Sequence, residues 1–346
     1  MTNKTYQNLR ISLRKNPKRW LITGVAGFIG SSILEELLNL NQNVIGIDNF
    51  STGHKKNLDN LKKNTHQDKW KNFSFIEGDI TDFNICKRSV KNIDFVLHQA
   101  ALGSVPRSIK DPLNTNKSNI EGFLNMIYAS KESKVKRFLY AASSSTYGDH
   151  KALPKKENII GNPLSPYAVT KRVNEMYADV FNKVYGINSV GLRYFNVFGP
   201  SQDPNGAYAA VVPKWIDAMK KGKTININGD GKTSRDFCYI KNAVQANLLA
   251  STCKKPISIN QVYNVAVGEK TSLNRLFKLI QDEFLNLDPK FKKVKPIYKD
   301  FREGDIKHSL ADISKASKHF GYQPTHKIAE GIKETVAWHL SGQLKK

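Results

Sequence analysis

The stretch TGVAGFIG at residues 23–30 is the strongest indication of the fold of this chain. It lies between a short apolar run at residues 19–24 and a segment at residues 28–40 whose apolar side chains repeat at helical spacing. Its three glycines permit a tight turn, the close approach of a pyrophosphate and close packing of the helix on the strand. The stretch therefore predicts a dinucleotide-binding turn, in which the first backbone N–H groups of the helix face the phosphates. The expected contact residues are Gly24, Ala26, Gly27, Phe28, Ile29 and Gly30.

Asp48 ends the next apolar run, which spans residues 43–48. A carboxylate at this point can accept hydrogen bonds from a ribose 2′-hydroxyl, and its charge repels a 2′-phosphate. Structural turns also use glycine, but the order strand, turn, helix, strand favours a bound dinucleotide. The sequence therefore predicts NAD, rather than NADP, as the cofactor.

Apolar runs continue to alternate with helix-length segments through residue 194. Such alternation implies right-handed strand–helix–strand crossovers and a parallel sheet covered by helices on both faces. We therefore predict an α/β fold with a Rossmann-type, doubly wound parallel sheet. Its further strands are expected at residues 73–76, 95–97, 138–142 and 190–194.

The pattern becomes mixed beyond residue 197, where the segment 196–210 is rich in turn-forming residues and predicts a loop. Helices are then expected at residues 211–221, 241–252, 272–284 and 328–340, and strands at 224–228, 236–240 and 263–267. The predicted organisation is a basic extension at residues 1–17, an NAD-binding domain at 18–197, and a smaller mixed α/β substrate lobe at 198–346. Some segments of this lobe are expected to return to the first domain.

The charge of the chain is its one unusual bulk property. Among 346 residues, Lys and Arg total 54 against 30 Asp and Glu, which gives a net charge of +24. The basic residues are scattered in short groups, and no zinc-finger spacing or RNA-binding aromatic run accompanies them. We interpret the charge as spread over solvated faces, while an anionic partner such as a phosphorylated ligand or nucleic acid is the alternative.

Other bulk features limit the class of protein further. No stretch approaches the ~18 uninterrupted apolar residues of a membrane-spanning helix. The N-terminal segment has no apolar core of the kind that secretory signals need. Cys86, Cys238 and Cys253 are too few and too far apart for a disulfide framework or a zinc site. We therefore expect a cytoplasmic protein with no metal site and with neither a membrane nor a nucleic acid as its partner.

A second motif combines a serine-rich strand end at residues 141–148 with Tyr167 and Lys171 at the start of a predicted helix. The two side chains are one helical turn apart, so both can face the same cleft. A tyrosine with a pKa of about 10 is a poor base at neutral pH. We expect the neighbouring ammonium group and a cationic nicotinamide to stabilise the phenolate and lower this pKa.

The order of the motifs carries a family resemblance. From about residue 18 to 340 the sequence resembles the extended short-chain dehydrogenase/reductase family and, within it, the nucleotide-sugar 4-epimerases. It is most similar to the branch that acts on UDP-N-acetylhexosamines and their uronic acids in surface polysaccharide synthesis. Family members commonly dimerise through a four-helix bundle, here expected to include residues 112–130 and 166–184. The stretches that match include DNFSTG, HQAALGSVPRS, AASSSTYGD, NPLSPYAVTK, LRYFNVFGP, GDGKTSRDFCYI and REGDIKHSLAD.

The resemblance implies roles for individual residues in catalysis and cofactor binding. Tyr167 would be the catalytic base, Lys171 its partner, and Ser143 the catalytic serine. Tyr167 and Lys171 would also contact NAD. The other implied NAD contacts, beyond the glycine-rich turn, are Asp48, Asn49, Ser51, Thr52, Gly53, Asp79, Ile80, Gln99, Ala100, Ala101, Ser118 and Tyr194.

The resemblance also implies a UDP-sugar site. Ser309 falls where strict glucose/galactose epimerases carry a tyrosine, and a serine leaves room for an N-acetyl group at C2 of the sugar. Gly103, Ser104, Ser143, Ser144, Tyr167 and Gln202 match positions at the sugar. The implied UDP contacts are Asn196, Tyr208, Val212, Lys214, Asn228, Arg235, Arg302 and Asp305, of which the arginines suit a diphosphate.

The implied reaction is epimerisation at C4 through a 4-keto sugar, which regenerates NAD in every cycle. A 4,6-dehydratase or a decarboxylase is an alternative, but the dehydratases carry an Asp-Glu pair where this chain has Ser144 and Ser145. A non-catalytic NAD sensor is a second alternative, although such proteins usually lack the tyrosine or the lysine. UDP-glucose and UDP-galactose stay open as substrates, as does the choice between UDP-GlcNAc and its uronic acid.

Overall fold

The chain folds into alternating strands and helices, which a computed structural model describes for residues 3–205, 209–301 and 307–341. The strands are β1 (Arg19–Thr23), β2 (Asn43–Asp48), β3 (Phe73–Glu77), β4 (Phe95–His98), β5 (Arg137–Ser143), β6 (Ser189–Tyr194), β7 (Val197–Phe198), β8 (Asn226–Asn228), β9 (Ser234–Arg235), β10 (Cys238–Tyr239), β11 (Gln261–Val265), β12 (Thr271–Ser272) and β13 (Ile297–Lys299).

The helices lie between these strands. They are α1 (Lys4–Lys15), α2 (Phe28–Asn39), α3 (Lys55–Asn64), α4 (Gln67–Trp70), α5 (Phe83–Ser89), α6 (Val105–Lys110), α7 (Pro112–Asn116), α8 (Gly122–Glu132), α9 (Pro166–Tyr185), α10 (Val211–Lys220), α11 (Ile240–Thr252), α12 (Leu273–Leu287), α13 (Ser314–Phe320) and α14 (Ile328–Ser341). A π-helical turn at Lys117–Glu121 joins α7 to α8, and short 3-10 turns lie at Ser144–Tyr147 and Pro256–Ser258.

Seven strands form one sheet in the order β11-β6-β5-β4-β1-β2-β3, and all neighbouring pairs are parallel. Both faces of this sheet are buried under helices. Leu21 and Ile22 are adjacent in β1 and therefore point to opposite faces, yet both are completely buried. The predicted Rossmann-type α/β fold is confirmed, and the strand order reverses beside β1, as doubly wound sheets do.

Apart from β11, which is an edge strand of the central sheet, the strands of the C-terminal half form small two-stranded pairings. β7 pairs with β10, β9 with β12, and β8 with β13. The expected strands at 224–228 and 236–240 are shorter in the structure than the sequence pattern indicates. Asp236 lies outside β10 because its carboxylate accepts hydrogen bonds from the backbone N–H groups of Val267 and Gly268. Val197 and Phe198, expected in a loop, form β7 instead.

The basic N-terminal segment forms helix α1, which Asn3 caps by accepting a hydrogen bond from the Tyr6 backbone N–H. The buried Leu13 anchors the last turn, and its carbonyl oxygen accepts a 2.8 Å hydrogen bond from Gln42. The segment therefore packs on the sheet domain. Within the part of the chain that the structure describes, no helix is both long and apolar enough to cross a membrane. The described residues also contain no cluster of three or more potential metal ligands.

Candidate active site

The glycine-rich turn links β1 to α2 under tight steric limits. Gly24 has a φ of 68°, and a Cβ there would lie 2.8 Å from the backbone nitrogen of Ala100. A Cβ on Gly30 would lie 2.1 Å from the carbonyl oxygen of Gly24, so neither position tolerates a side chain. Helix α2 begins at Phe28 with Gly27 as its N-cap and has no side-chain cap. Its first N–H groups are thus suited to bind a diphosphate.

Asp48 is buried at the carboxyl end of β2 and holds the turn in place. Its carboxylate accepts 2.9 Å and 2.8 Å hydrogen bonds from the backbone N–H groups of Ala26 and Phe50. Burial raises the pKa of this carboxyl, and the backbone hydrogen bonds oppose that rise. A Cβ on Gly53 would lie 2.8 Å from both carboxylate oxygens, so only glycine lets the following loop approach. This arrangement fits a ribose held against Asp48.

The other residues that the sequence predicts to contact NAD surround the same end of the sheet. Asn49 donates a 2.7 Å hydrogen bond to Asp79, which also accepts from Thr81. Ser51 and Thr52 are exposed in the loop after β2, Ile80 is buried after β3, and Ser118 is half-buried in the π-helical turn. Ala100 donates from its backbone N–H to the Thr23 hydroxyl. The sequence-predicted NAD residues thus extend from the glycine-rich turn to the end of β3.

A cavity of about 950 Å³ opens at the carboxyl ends of β4, β5 and β6. The start of α2 forms one wall, and the segment around Ser309 contributes to the opposite lobe. Of the residues predicted from the sequence, those that line the cavity are Phe28, Ile29, Gln99, Ala101, Gly103, Ser104, Ser143, Ser144, Tyr167, Lys171, Tyr194, Asn196, Gln202, Arg235 and Ser309.

Tyr167 and Lys171 lie in the first turns of α9, which begins at Pro166. Ser165 caps the helix by accepting a 3.1 Å hydrogen bond from the Ala168 backbone N–H. The Lys171 ammonium lies 5.9 Å from the centre of the Tyr167 ring and donates a 2.7 Å hydrogen bond to the carbonyl oxygen of Ala141. Helix α9 therefore presents both side chains to the cavity at the end of β5.

Burial dominates the pKa values of this pair. It raises the pKa of the Tyr167 phenol, and hydrogen bonding with Ser143 lowers that pKa only in part. Burial also lowers the pKa of Lys171 to about 8, against the opposing effect of Glu175. The expected lowering of the Tyr167 pKa, to which a cationic nicotinamide contributes, stays a prediction.

Ser143 ends β5 and caps the 3-10 turn that follows it. Its hydroxyl oxygen accepts a 3.1 Å hydrogen bond from the Ser145 backbone N–H and a 2.9 Å hydrogen bond from the Ser145 hydroxyl. On the other side of the cavity, Tyr194 donates a 3.1 Å hydrogen bond to Gln99. Asn247 on α11 donates to the Tyr194 oxygen at 2.8 Å and fixes this side. No motif in the sequence indicates Asn247, since it lies on a helix without a recognisable pattern.

The expected UDP residues divide into three groups. Arg235 lines the cavity and donates to the carbonyl oxygen of Lys307 at 3.2 Å, and Asn196 donates to the carbonyl oxygen of Asp236 at 3.0 Å. Three others do not line the cavity: Val212 is buried in α10, Lys214 is exposed on α10, and Asn228 ends β8. Tyr208, Arg302 and Asp305 lie outside the described residues.

The expected sugar residues meet around one part of the cavity wall. Ser104 has a φ of 100°, a strained value for a residue with a side chain, and its hydroxyl caps α6. A Cβ on Gly103 would meet no atom within 4 Å, so this residue borders open space. Gln202 donates from its amide nitrogen to the carbonyl oxygen of Val197 at 3.2 Å. Its buried side-chain oxygen has no hydrogen-bond partner among the residues that the structure describes.

Several further residues line the cavity that sequence reasoning missed, among them Tyr147, Lys155, Ser165 and His308. The Ser-Pro pair at 165 and 166 is a helix-start signal that could have identified Ser165. Lys155 had no comparable signal. It reaches the cavity because its strand-like backbone bridges to Ala311, next to the segment that carries Ser309.

Comparisons with known proteins agree with this geometry. A putative UDP-glucose 4-epimerase of Methanocaldococcus jannaschii is 36% identical over 320 residues, which cover 92% of this chain and 97% of that protein. A UDP-N-acetylglucosamine 4-epimerase from Methanobrevibacter ruminantium M1, solved in complex with UDP-N-acetylmuramic acid, is 41% identical. It superposes with a TM-score of 0.85 and covers 94% of this chain and 99% of that one.

A UDP-glucuronic acid 4-epimerase from Bacillus cereus, solved with UDP-glucuronic acid and NAD, is 31% identical with a TM-score of 0.83. It covers 93% of this chain and 99% of that one. A model of the NAD dependent epimerase/dehydratase family matches residues 20–266, which include the glycine-rich turn, most residues that line the cavity, and β11. The chain is therefore an NAD-dependent enzyme that belongs to the NAD dependent epimerase/dehydratase family.

Proposed function

We propose that the enzyme epimerises a UDP-N-acetylhexosamine at C4, interconverting UDP-GlcNAc and UDP-GalNAc or their uronic acids. The observation that carries this proposal is the convergence of Ser143, Tyr167 and Lys171 on one cavity that adjoins the glycine-rich turn. A hydroxyl, a phenol and an ammonium group in this arrangement suit removal and return of a proton at a sugar hydroxyl. The similarity to several UDP-sugar 4-epimerases supports the same reaction.

In this mechanism the Tyr167 oxygen takes the proton of the sugar 4-hydroxyl and later returns a proton to O4 of the sugar, whose configuration at C4 is then inverted. Ser143 donates a hydrogen bond to the sugar O4 and stabilises the charge that develops there. Lys171 keeps a positive charge near the phenol, which favours the phenolate. When bound, NAD supplies the hydride acceptor and a positive charge. Arg235 and Asn196 hold the UDP, so that the 4-keto sugar can turn over within the cavity without leaving it.

The preference for an N-acetylated sugar rests on two residues of the cavity wall. Ser309 is small and leaves space that a larger side chain would fill. The unpartnered side-chain oxygen of Gln202 can accept a hydrogen bond from an acetamido N–H, which would satisfy a buried acceptor. A plain 2-hydroxyl could reach this oxygen as well. UDP-glucose 4-epimerisation is therefore the second candidate, and the Methanocaldococcus jannaschii relative favours it.

The proposal is tested by incubating the enzyme with UDP-GlcNAc, UDP-GlcNAcA, UDP-glucose and UDP-glucuronic acid in separate reactions. NMR of the products reports the configuration at C4 in each case. A higher kcat/KM for the N-acetylated pair than for the plain pair is expected. Equal or better turnover of UDP-glucose would replace the first candidate by the second. A product that lacks the 6-hydroxyl would instead indicate a 4,6-dehydratase.

We also propose that the enzyme is a homodimer. Helix α9 exposes a stripe of apolar side chains at Val169, Met176, Val180 and Val184, and the nearby Leu113 is 83% exposed. Exposed apolar stripes of this kind are typical of helix–helix interfaces between subunits. The variant Val180→Glu should therefore sediment as a monomer, whereas Lys183→Ala on the same helix should sediment like the unmodified protein. A monomeric unmodified protein at micromolar concentration would contradict the proposal.

A further inference from the structure

Lys155 is a buried lysine in the wall of the catalytic cavity. The residue is only 4% exposed, and it lines the same cavity as Tyr167 and Ser309. The backbone of Lys155 pairs with the segment after Ser309: its N–H donates to the carbonyl oxygen of Leu310 at 2.8 Å, and its carbonyl accepts from Asp312 at 2.9 Å. Its position is therefore fixed by two backbone hydrogen bonds, next to the residue that borders the expected N-acetyl pocket.

The ammonium group of Lys155 forms no ion pair with any residue that the structure describes. No described carboxylate lies within the 4.0 Å of an ion pair, and the ammonium contacts the carbonyl oxygen of His150. Burial accordingly lowers the pKa of Lys155. A buried charge without an opposite charge is unfavourable, so a buried lysine normally has an anionic partner. A ligand in the cavity is the available source of one.

The charges of the cavity wall indicate where that partner lies. Its described lining contains Lys155, Lys171 and Arg235, together with His308, and no aspartate or glutamate. Lys171 is engaged beside Tyr167, and Arg235 suits the diphosphate of UDP. The Lys155 ammonium lies 6.0 Å from the centre of the Tyr147 ring, in the turn at Ser144–Tyr147 that follows Ser143. Lys155 is therefore a third cation of the described lining, and it lies near the turn that carries Ser144, one of the residues expected at the sugar.

We propose that Lys155 is a specificity-determining residue that binds a carboxylate carried by the sugar of the substrate. This inference rests on the proposed epimerisation of a UDP-N-acetylhexosamine. The carboxylate can come from C6 of a uronic acid or from the lactyl ether of a muramic acid, and both place a negative charge on the sugar ring. The structure of the Methanobrevibacter ruminantium relative in complex with UDP-N-acetylmuramic acid supports a carboxylated sugar in such a cavity.

The test compares a neutral with a carboxylated substrate in matched variants. Lys155→Met removes the charge and keeps most of the side-chain volume, Lys155→Arg keeps the charge, and Lys156→Met is the control at the exposed neighbouring lysine. For each variant, kcat/KM is measured with UDP-GlcNAc and UDP-GlcNAcA, and the Kd of UDP-N-acetylmuramic acid is measured by calorimetry. The two acids distinguish the C6 carboxylate from the lactyl carboxylate.

Lys155→Met should weaken the use of at least one acidic sugar, seen as a lower kcat/KM for UDP-GlcNAcA or a higher Kd for UDP-N-acetylmuramic acid. This change should exceed the change in kcat/KM for UDP-GlcNAc by roughly 10- to 100-fold. Lys155→Arg should retain part of the selectivity, and Lys156→Met should resemble the unmodified enzyme.

Equal losses for neutral and acidic sugars would assign Lys155 a structural role through His150 and overturn the inference, while the proposed epimerisation would stand. If Lys155→Met does not fold, the unmodified enzyme still provides a test. The inference is overturned if that enzyme binds neither UDP-GlcNAcA nor UDP-N-acetylmuramic acid more tightly than UDP-GlcNAc. Failure of the unmodified enzyme to epimerise any UDP-sugar would refute the proposed function, and the calorimetric comparison would still test Lys155.

Discussion

The carboxylate of Glu175 binds the guanidinium of Arg193 through two hydrogen bonds of 2.8 Å, and both side chains are almost completely buried. Glu175 lies on α9 one helical turn after Lys171, and Arg193 directly precedes Tyr194 in β6. The pair thus joins the helix that carries the proposed catalytic base to a strand of the central sheet. Arg193 also donates to the carbonyl oxygen of Glu157 at 3.1 Å. This contact holds the loop before α9 against the same strand.

Glu175→Gln should destabilise the protein by about 3–5 kcal/mol, because it leaves the guanidinium of Arg193 buried without its counter-ion. Denaturant unfolding measures this change. Arg172→Gln is the matched control, since Arg172 binds the same carboxylate at 3.2 Å from a side chain that is 40% exposed. The control should lose less than about 1 kcal/mol. Similar losses in the two variants would show that the buried pair contributes no more than the exposed one.

Tyr167→Phe should reduce turnover at least ~100-fold, the usual scale for loss of a general base. The variant lacks only the phenolic oxygen that exchanges the proton of the 4-hydroxyl. The Kd of the UDP-sugar should change little, because the proposed contacts to UDP come from Arg235 and Asn196. Steady-state kinetics and calorimetry measure the two quantities. A variant with near normal turnover would remove Tyr167 from this role.

Ser309→Tyr should obstruct the C2 acetamido group of UDP-GlcNAc more than the C2 hydroxyl of UDP-glucose. Overpacking of a few heavy atoms typically destabilises by ~1–3 kcal/mol, so the ratio of kcat/KM for the two sugars should shift by roughly 10- to 100-fold toward UDP-glucose. Ser309→Ala, which adds no volume, should leave this ratio nearly unchanged. If both sugars lose activity equally in the tyrosine variant, Ser309 does not select the acetamido group.

His98 should make the stability of the protein depend on pH. It is buried at the end of β4 between Phe123 and Phe138, and burial lowers its pKa from 6.5 to about 3. In the unfolded chain this imidazole takes up a proton near pH 6.5, whereas the folded chain resists protonation until about pH 3. Its contribution to stability is therefore fully present above pH 6.5 and is lost as the pH falls toward 3.

The measurement is the free energy of unfolding by urea at several pH values between 4 and 7.5. Between pH 4 and 6 this single group should contribute a slope of about 1.4 kcal/mol per pH unit. His98→Gln should reduce the slope by that amount, and His66→Gln is the matched substitution at an exposed site. Parallel curves for His98→Gln and the unmodified protein would show that folding does not change the pKa of His98.

Local patterns in the sequence account for most of the sheet and for the proposed catalytic pair. The strands of the first half lie where the apolar runs predict them, because burial on both faces of a parallel sheet requires continuous apolar segments. Tyr167 and Lys171 face one cavity because their spacing is one turn of the same helix. The glycine-rich turn depends on steric limits within a few residues, and Gly24 and Gly30 show those limits directly.

The sequence by itself thus determined the Rossmann-type sheet, the cofactor turn and the spacing of Tyr167 and Lys171, because each depends on residues that are neighbours in the chain. Which distant residues share the cavity depends on tertiary packing and is seen only in the structure. The bridge between Lys155 and Ala311 brings a buried cation beside the segment that carries Ser309, whereas Lys214 does not line the cavity. Burial in the folded chain also raises the pKa of the Tyr167 phenol. Contacts between distant segments, and the desolvation that accompanies them, depend on packing in three dimensions and leave no periodic signal in the chain.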